Sequence, residues 1–318
     1  MAHIFLTREI PDAGLTLLRE LHDVTIFEHD RQITKEELLE AVRDTDGLLC
    51  LLSDRVDADV IAAGDRLRCI SNYAVGYNNI DVDAARERGI AVTNTPGVLT
   101  EATADIAFAL MIACARRIVE SDVFLRAGDF RGWEPKLFLG QDLVGRTLGI
   151  IGAGRIGRAL AHRASRGFDM PVLYHNRKRD ESFEREYGAR LVDLDTLLRE
   201  SDFISIHVPL TPETHHLIDA RAIGLMKPSA VFVNTARGPV VDERALIDAL
   251  RERRIFAAGF DVYENEPAVP RELIDLPNTV LLPHIGSASI ETRDRMAEIA
   301  ARNLLAVLAG KEPEFRVA

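Results

Sequence analysis

Residues 148–157 read LGIIGAGRIG, an apolar run that leads directly into three glycines spaced as G-x-G-x-x-G. Gly152 permits a tight turn, Gly154 lets a ligand approach the backbone, and Gly157 lets the following helix pack closely on the strand. The helical pattern RIGRALAHRAS follows at once, so the motif has the strand–turn–helix context that a phosphate-binding turn needs. Free N–H groups at the start of that helix favour an anion. We therefore predict a dinucleotide-binding domain that opens at this strand, with a simple glycine-rich turn as the alternative.

Strand-like apolar runs and helical patterns alternate along most of the 318 residues, as in doubly wound α/β proteins. A chain of this length is expected to form about two domains. Runs such as GLLCLLS (47–53) and IAVTNT (90–95) are typical of buried parallel strands, and a long helix is predicted from about residue 100 to 127. Because the glycine motif lies almost halfway along the chain, the residues up to about 99 must form a separate unit. The last helical pattern has no strand left to accompany it, which allows it to return to that first unit.

The composition limits the classes of partner. The formal net charge is −11, whereas nucleic-acid binding rests on basic patches, so we predict no nucleic-acid partner. No apolar run reaches about 18 residues and no signal-peptide pattern is present, so no membrane association is predicted. Cys50, Cys69 and Cys114 lie in apolar stretches and are interpreted as reduced core residues of a cytoplasmic protein, with a catalytic or metal-binding cysteine as the alternative. The adjacent His215 and His216 are interpreted as surface residues, and no metal site is predicted.

The strand after the glycine motif decides which dinucleotide is expected. In NAD-binding domains it ends near an acidic residue that accepts a hydrogen bond from the ribose 2′-OH. Here the segment reads VLYHNRKR (172–179), with no acid and with Asn176 in the acid's place. Arg177 can make a forked contact to a 2′-phosphate, and Lys178 and Arg179 add positive charge. The sequence therefore predicts NADP(H) in preference to NAD(H), without absolute discrimination; a solvated basic turn is the alternative.

The glycine motif and two further stretches together resemble one enzyme family. These stretches are NTARGPVVDERAL (234–246) and GFDVYENEP with LLPHIGSAS (259–267 and 281–289). Nearly the whole chain resembles the D-isomer-specific 2-hydroxyacid dehydrogenases, and FLGQDLVGRTLGIIGAGRIG and PHIGSAS are most similar to the glyoxylate and hydroxypyruvate reductases. The resemblance implies two Rossmann-like, doubly wound parallel-sheet domains. A dinucleotide-binding domain of residues 100–285 is inserted into a discontinuous substrate-binding domain of residues 1–99 and 286–318. The resemblance also implies a homodimer.

Reduction of a 2-oxo acid needs an anchor for the carboxylate and a proton donor to the carbonyl oxygen. Arg237 follows the apolar run AVFVNTA, and its guanidinium can bind carboxylate and carbonyl oxygens through forked hydrogen bonds. His284, at the end of the last apolar strand, can give and take a proton near neutral pH. The resemblance makes these the family's substrate arginine and proton donor; a surface charge and a core histidine are the alternatives. Glu266 matches the carboxylate that supports the histidine, with Glu264 as its main competitor.

The resemblance implies further contacts. Val75 and Gly76 match the loop whose backbone N–H groups receive the substrate carboxylate. Asp261 matches the residue that meets the nicotinamide amide. The full set of implied cofactor contacts is Gly152, Ala153, Gly154, Arg155, Ile156, Gly157, Asn176, Arg177, Lys178, Thr235, Ala236, Arg237, Asp261, His284 and Gly286.

We therefore expect an NAD(P)H-dependent reductase that converts small 2-oxo acids to D-2-hydroxy acids, with glyoxylate and hydroxypyruvate as the leading substrates. Within the same class, the alternatives are a 2-ketogluconate, phosphoglycerate or other 2-hydroxyacid dehydrogenase. A different class is a non-catalytic dinucleotide-sensing protein of the corepressor kind. The complete set of Arg237, Glu266 and His284 disfavours that class.

Overall fold

The structure is a computed structural model that describes all 318 residues. The chain divides into two compact units, residues 1–99 with 287–318 and residues 100–286. The expected junction after residue 285 lies one residue later, at Gly286, whose N–H donates to Asp261 Oδ2 at 2.7 Å. None of the helices combines the length and the apolar character that a membrane span needs.

Strands and helices alternate along the chain, as the sequence predicts. The Thr34 hydroxyl accepts the Glu37 N–H, and the Glu37 carboxylate accepts the Thr34 N–H, so the start of α2 is closed by a capping box. A short 3₁₀ turn covers Gly238–Val240. In chain order the elements are β1 (His3–Leu6), α1 (Asp12–Arg19), β2 (Asp23–Ile26), α2 (Lys35–Ala41), β3 (Gly47–Cys50), α3 (Ala58–Ala63), β4 (Cys69–Asn72), α4 (Val82–Glu87), β5 (Ala91–Thr93), α5 (Thr100–Ala115), α6 (Ile118–Arg126), β6 (Leu148–Ile151), α7 (Arg155–Phe168), β7 (Val172–His175), α8 (Glu181–Tyr187), β8 (Arg190–Leu191), α9 (Leu194–Glu200), β9 (Phe203–Ile206), α10 (Ala220–Gly224), β10 (Val231–Asn234), α11 (Glu243–Arg251), β11 (Ala257–Phe260), α12 (Arg271–Ile274), β12 (Thr279–Leu281) and α13 (Ile290–Leu308).

The first unit contains a five-stranded parallel sheet with the strand order β2-β1-β3-β4-β5. The final helix α13 packs on α1 and on β4, so the tail of the chain does return to this unit. Met296 and Leu304 of α13 are buried in one cluster with Leu15 of α1. Burial of such a side chain stabilises the fold by about 1.5–3 kcal/mol. The Ser71 hydroxyl adds a hydrogen bond to the Ala300 carbonyl at 2.9 Å.

The second unit contains a seven-stranded parallel sheet with the order β12-β11-β10-β9-β6-β7-β8. The chain runs outward from β6 to β8 on one side and from β9 to β12 on the other, so the order reverses between β6 and β9. Ligands of such sheets bind outside the carboxyl ends of the strands at the reversal. Each predicted site residue of this unit lies in or beside a segment that follows one of these strands, at the same edge of the sheet.

The helix predicted for about residues 100–127 is two helices, α5 and α6. The Ala115 carbonyl, which would continue the helix, instead accepts the Gln141 N–H at 2.8 Å. Arg117 then has a φ of 53° and begins α6 in a new direction, while its guanidinium pairs with Glu120 at 2.6 Å. The prediction of one helix is wrong because a distant loop takes the carbonyl that helical spacing reserves for the next turn.

Candidate active site

The turn between β6 and α7 has the backbone geometry that its glycines predict. Gly152 has a φ of 95°, and a Cβ there would lie 2.8 Å from the His207 carbonyl carbon. A Cβ on Gly157 would lie 2.6 Å from the Gly152 oxygen, so the helix is packed tightly on the turn. A Cβ on Gly154 would meet nothing within 4 Å, which leaves open space at the start of α7, where Arg155 begins the helix. This open N-terminus fits the diphosphate of a dinucleotide.

Asn176, directly after β7, is tied to the same turn. Its Oδ1 accepts the Ala153 N–H at 2.8 Å, so the amide side chain joins the ends of β6 and β7. The next residues, Arg177 and Lys178, are exposed. Arg179 is engaged elsewhere, because its guanidinium pairs with Glu184 at 2.7 Å. Of the basic side chains in this segment, Arg177 and Lys178 are therefore better placed than Arg179 to meet an added phosphate.

Two buried polar atoms beside these strand ends have no hydrogen-bond partner in the chain. They are Thr235 Oγ1, after β10, and His207 Nδ1, after β9. The other ring nitrogen of His207 lies 2.9 Å from the Ser205 hydroxyl, and burial lowers the pKa of His207 to about 3. Buried polar atoms are normally paired, so these two orphans are consistent with a polar ligand at this edge. Sequence reasoning missed His207; its only signal was its place at the end of an apolar strand.

Arg237 lies in a turn that Asn234 shapes. The Asn234 amide donates to the Arg237 carbonyl at 3.0 Å, and its Oδ1 accepts the Ala236 N–H at 3.0 Å. The guanidinium donates to the Ala236 carbonyl at 2.7 Å and is largely enclosed. Burial lowers the pKa of Arg237, while the charge of Glu266 acts in the opposite direction. An arginine remains charged under such conditions and can hold a carboxylate.

Glu266 and His284 form the pair that the sequence predicts. His284 Nδ1 lies 2.8 Å from Glu266 Oε2, and the other carboxylate oxygen accepts the Tyr263 N–H at 3.0 Å. Burial alone would raise the pKa of Glu266, but the hydrogen bond and charge of His284 bring it below its ordinary value. Glu264, the competing carboxylate, contacts His216 instead, at 2.9 Å. The geometry therefore selects Glu266 as the histidine's partner.

Asp261 holds the turn that carries His284. Its two carboxylate oxygens accept the N–H groups of Ile285 at 2.6 Å and of Gly286 at 2.7 Å. Burial raises the pKa of Asp261, although these hydrogen bonds and the charge of His284 oppose the rise. His284 itself has a φ of 54°, in the left-handed region that is uncommon for residues other than glycine. The predicted contact of Asp261 with a nicotinamide stays a prediction; its structural role is to shape this turn.

Val75 and Gly76 belong to the first unit, directly after β4, and not to the unit that holds Arg237. The Gly76 carbonyl accepts from the Asn72 amide at 2.7 Å, and the Val75 carbonyl accepts from the Asn94 amide at 2.8 Å. No hydrogen bond within the chain uses the N–H of either residue. Free backbone donors of this kind can receive an anion.

The remaining candidates do not form a site. The three cysteines are free and buried, and burial raises the pKa of Cys69 to about 12, which makes its thiol unreactive. No three His, Cys, Asp or Glu side chains are grouped so as to hold a metal ion. His215 stacks on His216, with the ring centroids 4.1 Å apart. The ring of His216, whose side chain is 34% exposed, also contacts Glu264, a contact that the sequence did not predict.

Comparison with known proteins agrees with this geometry. Residues 108–286 match the family model described as D-isomer specific 2-hydroxyacid dehydrogenase, NAD binding domain. The glyoxylate reductase of Thermococcus litoralis is 51% identical over 314 residues, which cover 98% of this chain and 95% of that protein.

Solved structures give the same result. A protein from Thermus thermophilus has a TM-score of 0.94 at 46% identity, over 99% of this chain and 100% of its own. The NADPH-dependent glyoxylate/hydroxypyruvate reductase of Sinorhizobium meliloti, solved in complex with NADP and malonate, has a TM-score of 0.87 at 34% identity, over 100% of this chain and 97% of its own. The resemblance seen in the sequence is thereby confirmed, and the chain belongs to the D-isomer specific 2-hydroxyacid dehydrogenases, a family of oxidoreductases.

Proposed function

We propose that the protein reduces small 2-oxo acids to D-2-hydroxy acids with NAD(P)H, and that glyoxylate and hydroxypyruvate are its substrates. The observation that carries this proposal is the 2.8 Å contact between Glu266 and His284, in the unit that also holds Arg237 and the glycine turn. Relatives that are 51% identical over nearly the whole chain are named glyoxylate reductases.

The side chains supply the binding and proton-transfer parts of this reaction. The Arg237 guanidinium holds the substrate carboxylate and polarises the carbonyl oxygen. Because Nδ1 of His284 is bonded to Glu266, Nε2 is the atom that gives a proton to the carbonyl oxygen and recovers it in the oxidative direction. A positioned acid of this kind is worth about 10²–10⁴ in rate. When bound, the nicotinamide supplies the hydride.

We assign the dinucleotide to the seven-stranded unit and the substrate-specific contacts to the five-stranded unit. The match of residues 108–286 to an NAD binding domain supports the first assignment, as does the open space at Gly154. Contacts are proposed from Ala153 to Gly157 and from Thr235 to Arg237. The Val75–Gly76 loop is proposed for the substrate carboxylate, because its N–H groups are not used within the chain.

NADPH is the proposed cofactor in preference to NADH. Asn176 presents no negative charge to a 2′-phosphate, and the exposed Arg177 can pair with one, with Lys178 beside it. A relative of this chain is named as NADPH-dependent and was solved with NADP. NADH lacks only the contact to the 2′-phosphate, so we expect the protein to use NADH with a lower kcat/KM than NADPH.

We further propose a homodimer that works in the cytoplasm. Buried free thiols support a reducing compartment. Exposed apolar side chains between residues 118 and 144 support an interface with a second copy.

The proposed reaction is tested by NADPH oxidation with glyoxylate, hydroxypyruvate, 2-ketogluconate and 3-phosphohydroxypyruvate. We expect the first two acids to have the highest kcat/KM. Arg237→Ala should lower kcat/KM for glyoxylate by about 10- to 150-fold, since a charge-assisted contact is lost. The Kd for NADPH should change much less, because Arg237 is only one of many proposed cofactor contacts. The exposed Arg244→Ala is the matched control. Turnover of none of the acids would favour the dinucleotide-sensing alternative, and full activity in Arg237→Ala would remove the anchor assignment.

A further inference from the structure

One residue, His216, contacts both segments that carry the proposed catalytic side chains. Its backbone N–H donates to the Pro239 carbonyl at 2.9 Å. Its Nε2 lies 2.9 Å from Glu264 Oε1. Pro239 comes two residues after Arg237, and Glu264 comes two residues before Glu266. His216 therefore joins the turn after the arginine to the loop before the glutamate.

The two joined segments also touch directly. A Cβ on Gly238 would collide with the Tyr263 carbonyl and with the Glu264 nitrogen, so the backbones are in contact. The Glu264 N–H donates to the buried Glu243 at 3.3 Å. The Tyr263–Glu264 peptide is thus held between Gly238 and Glu243, and the Glu264 side chain is held by His216.

Tyr263, whose carbonyl belongs to this peptide, also contacts the proton-transfer pair through its own N–H. The Tyr263 N–H donates to one oxygen of Glu266 at 3.0 Å, while the other oxygen lies 2.8 Å from His284 Nδ1. Both oxygens of Glu266 therefore have a hydrogen-bond partner, and one of these partners is Tyr263, the residue whose carbonyl belongs to the Tyr263–Glu264 peptide. A displacement of about 1 Å in such a chain can cost about 100-fold in rate.

The conformation of His216 is itself uncommon. Its φ is 50°, in the left-handed region, and its ring stacks on His215. A residue other than glycine keeps such a φ only where its surroundings determine it, and these positions cluster at functional sites. Here the determining contacts are Pro239 on the backbone side and Glu264 on the side-chain side.

We propose that His216, with Glu264 as its partner, is a positioning residue that sets the placement of the Glu266–His284 pair relative to Arg237. This inference rests on the proposed reductase function. The side chains of His216 and Glu264 are 34% and 27% exposed, and ion pairs with that much exposure add little to global stability. The main effect of breaking the contact should therefore appear in kcat.

The test compares two substitutions of His216. His216→Asn keeps a side chain that tolerates a positive φ, but its amide is too short to replace Nε2. His216→Gln places an amide nitrogen close to the position of Nε2. With glyoxylate and NADPH, we expect kcat to fall about 10- to 100-fold in His216→Asn and to return to within about 3-fold of wild type in His216→Gln. The Kd for NADPH should stay within about 2-fold in both, and His215→Asn, which changes only the stacked neighbour, should have nearly wild-type kcat.

Crystal structures of the wild type and of His216→Asn provide a readout that does not need turnover. The variant should lose the 2.8 Å contact between Glu266 and His284. An unchanged contact together with an unchanged kcat would overturn the positioning role, as would equal losses of kcat in the Asn and Gln variants. If the wild type reduces no 2-oxo acid, the proposed function fails, and the presence or loss of this contact alone then decides whether His216 positions the pair.

Discussion

At the residue scale, the carboxylate of Glu266 is fixed at both oxygens, by Tyr263 and by His284. Its pKa lies below the ordinary value because the hydrogen bond and charge of His284 outweigh burial, so Glu266 is negatively charged at neutral pH. The charged carboxylate contacts Nδ1 of the imidazole at 2.8 Å. The proposed acid thus depends on a charged neighbour for its orientation.

Glu266→Gln should lower kcat/KM for glyoxylate. His284 loses the charged partner that contacts its Nδ1 at 2.8 Å, so the imidazole is held less firmly in the orientation needed for proton transfer. The measurement is kcat/KM for glyoxylate between about pH 5 and about pH 9. Glu272→Gln, on the exposed side of α12, serves as control. An unchanged kcat/KM over this range would show that Glu266 does not support His284 in catalysis.

His207 should make the fold sensitive to mild acid. Burial lowers its pKa to about 3 from an ordinary value of 6.5. The unfolded chain therefore takes up a proton below pH 6.5 that the folded chain refuses until about pH 3, and the free energy of unfolding falls as the pH falls through this window. The slope from this one group is at most about 1.4 kcal/mol per pH unit.

The check is urea unfolding of the cofactor-free wild type and of His207→Gln at about pH 7, 6 and 5. As the pH falls, the free energy of unfolding of the variant should decrease less steeply than that of the wild type. The two slopes should differ by at most the contribution of one proton. His29→Gln, at an exposed histidine, should follow the wild type. If the free energy of unfolding falls equally with pH in the wild type and in His207→Gln, His207 is not held neutral in the fold.

The residues that sequence reasoning identified are those with local signals. Arg237 and His284 each follow an apolar strand, and their segments resemble those of the family. The role of Asp261 in the turn could not be read in this way, because its hydrogen bonds reach Ile285 and Gly286, 24 and 25 residues further along the chain. The contact of His216 with Glu264 could not be predicted for the same reason, since the two residues lie 48 positions apart.

At the scale of elements, β7 and the segment after it govern the choice of dinucleotide. Asn176 is occupied with the Ala153 N–H, an acceptor role that an aspartate could also fill. Arg177 is exposed, and Arg179 is committed to Glu184. The positive charge that favours NADPH over NADH is therefore expected to come mainly from Arg177, with a smaller contribution from Lys178.

Asn176→Asp/Arg177→Ala should convert a preference for NADPH into a preference for NADH. An aspartate repels a 2′-phosphate and accepts from a 2′-OH, while loss of Arg177 removes about 10- to 150-fold in kcat/KM for NADPH. The ratio of kcat/KM for the two cofactors, at fixed glyoxylate, is the measurement. Arg179→Ala should leave this ratio unchanged because its guanidinium is paired with Glu184. A wild type that uses NADH as well as NADPH would refute the proposed preference.

Helices and strands could be predicted where the spacing of apolar residues along the sequence gives a continuous pattern. The runs at residues 47–53 and 90–95 contain β3 and β5, as predicted, whereas the two residues of β8 carry no apolar pattern. The break between α5 and α6 was not predictable, because Arg117 and Glu120 are also spaced as a helical ion pair. What ends α5 is the Gln141 N–H, which no helical pattern reveals.

At the scale of the whole molecule, most of the domain organisation could be predicted from the position of the glycine motif. The glycine strand begins only at residue 148, so the residues up to about 99 were expected to form a separate unit. The return of α13 to the first unit followed from the lack of a strand to accompany it.

The proposed homodimer can be tested by the mass of the protein in solution. Large exposed apolar side chains are concentrated between residues 118 and 144, and they include Val123, Leu125 and Trp133, which are 61%, 59% and 83% exposed. Single exposed apolar residues are ordinary, but so many in one segment are typical of a surface that binds another chain. We expect light scattering after gel filtration to give the mass of two 35.3 kDa chains.

Val123→Glu/Leu125→Glu should convert the dimer to a monomer, because it places charges in an interface that would exclude water. Both side chains lie on the exposed surface of α6, so the fold of the monomer should tolerate them, and far-ultraviolet circular dichroism checks this. Ile290→Glu, at a residue that is 79% exposed but lies outside this segment, should remain dimeric. A wild type with the mass of one chain, or a double variant that stays dimeric, would exclude α6 as the interface.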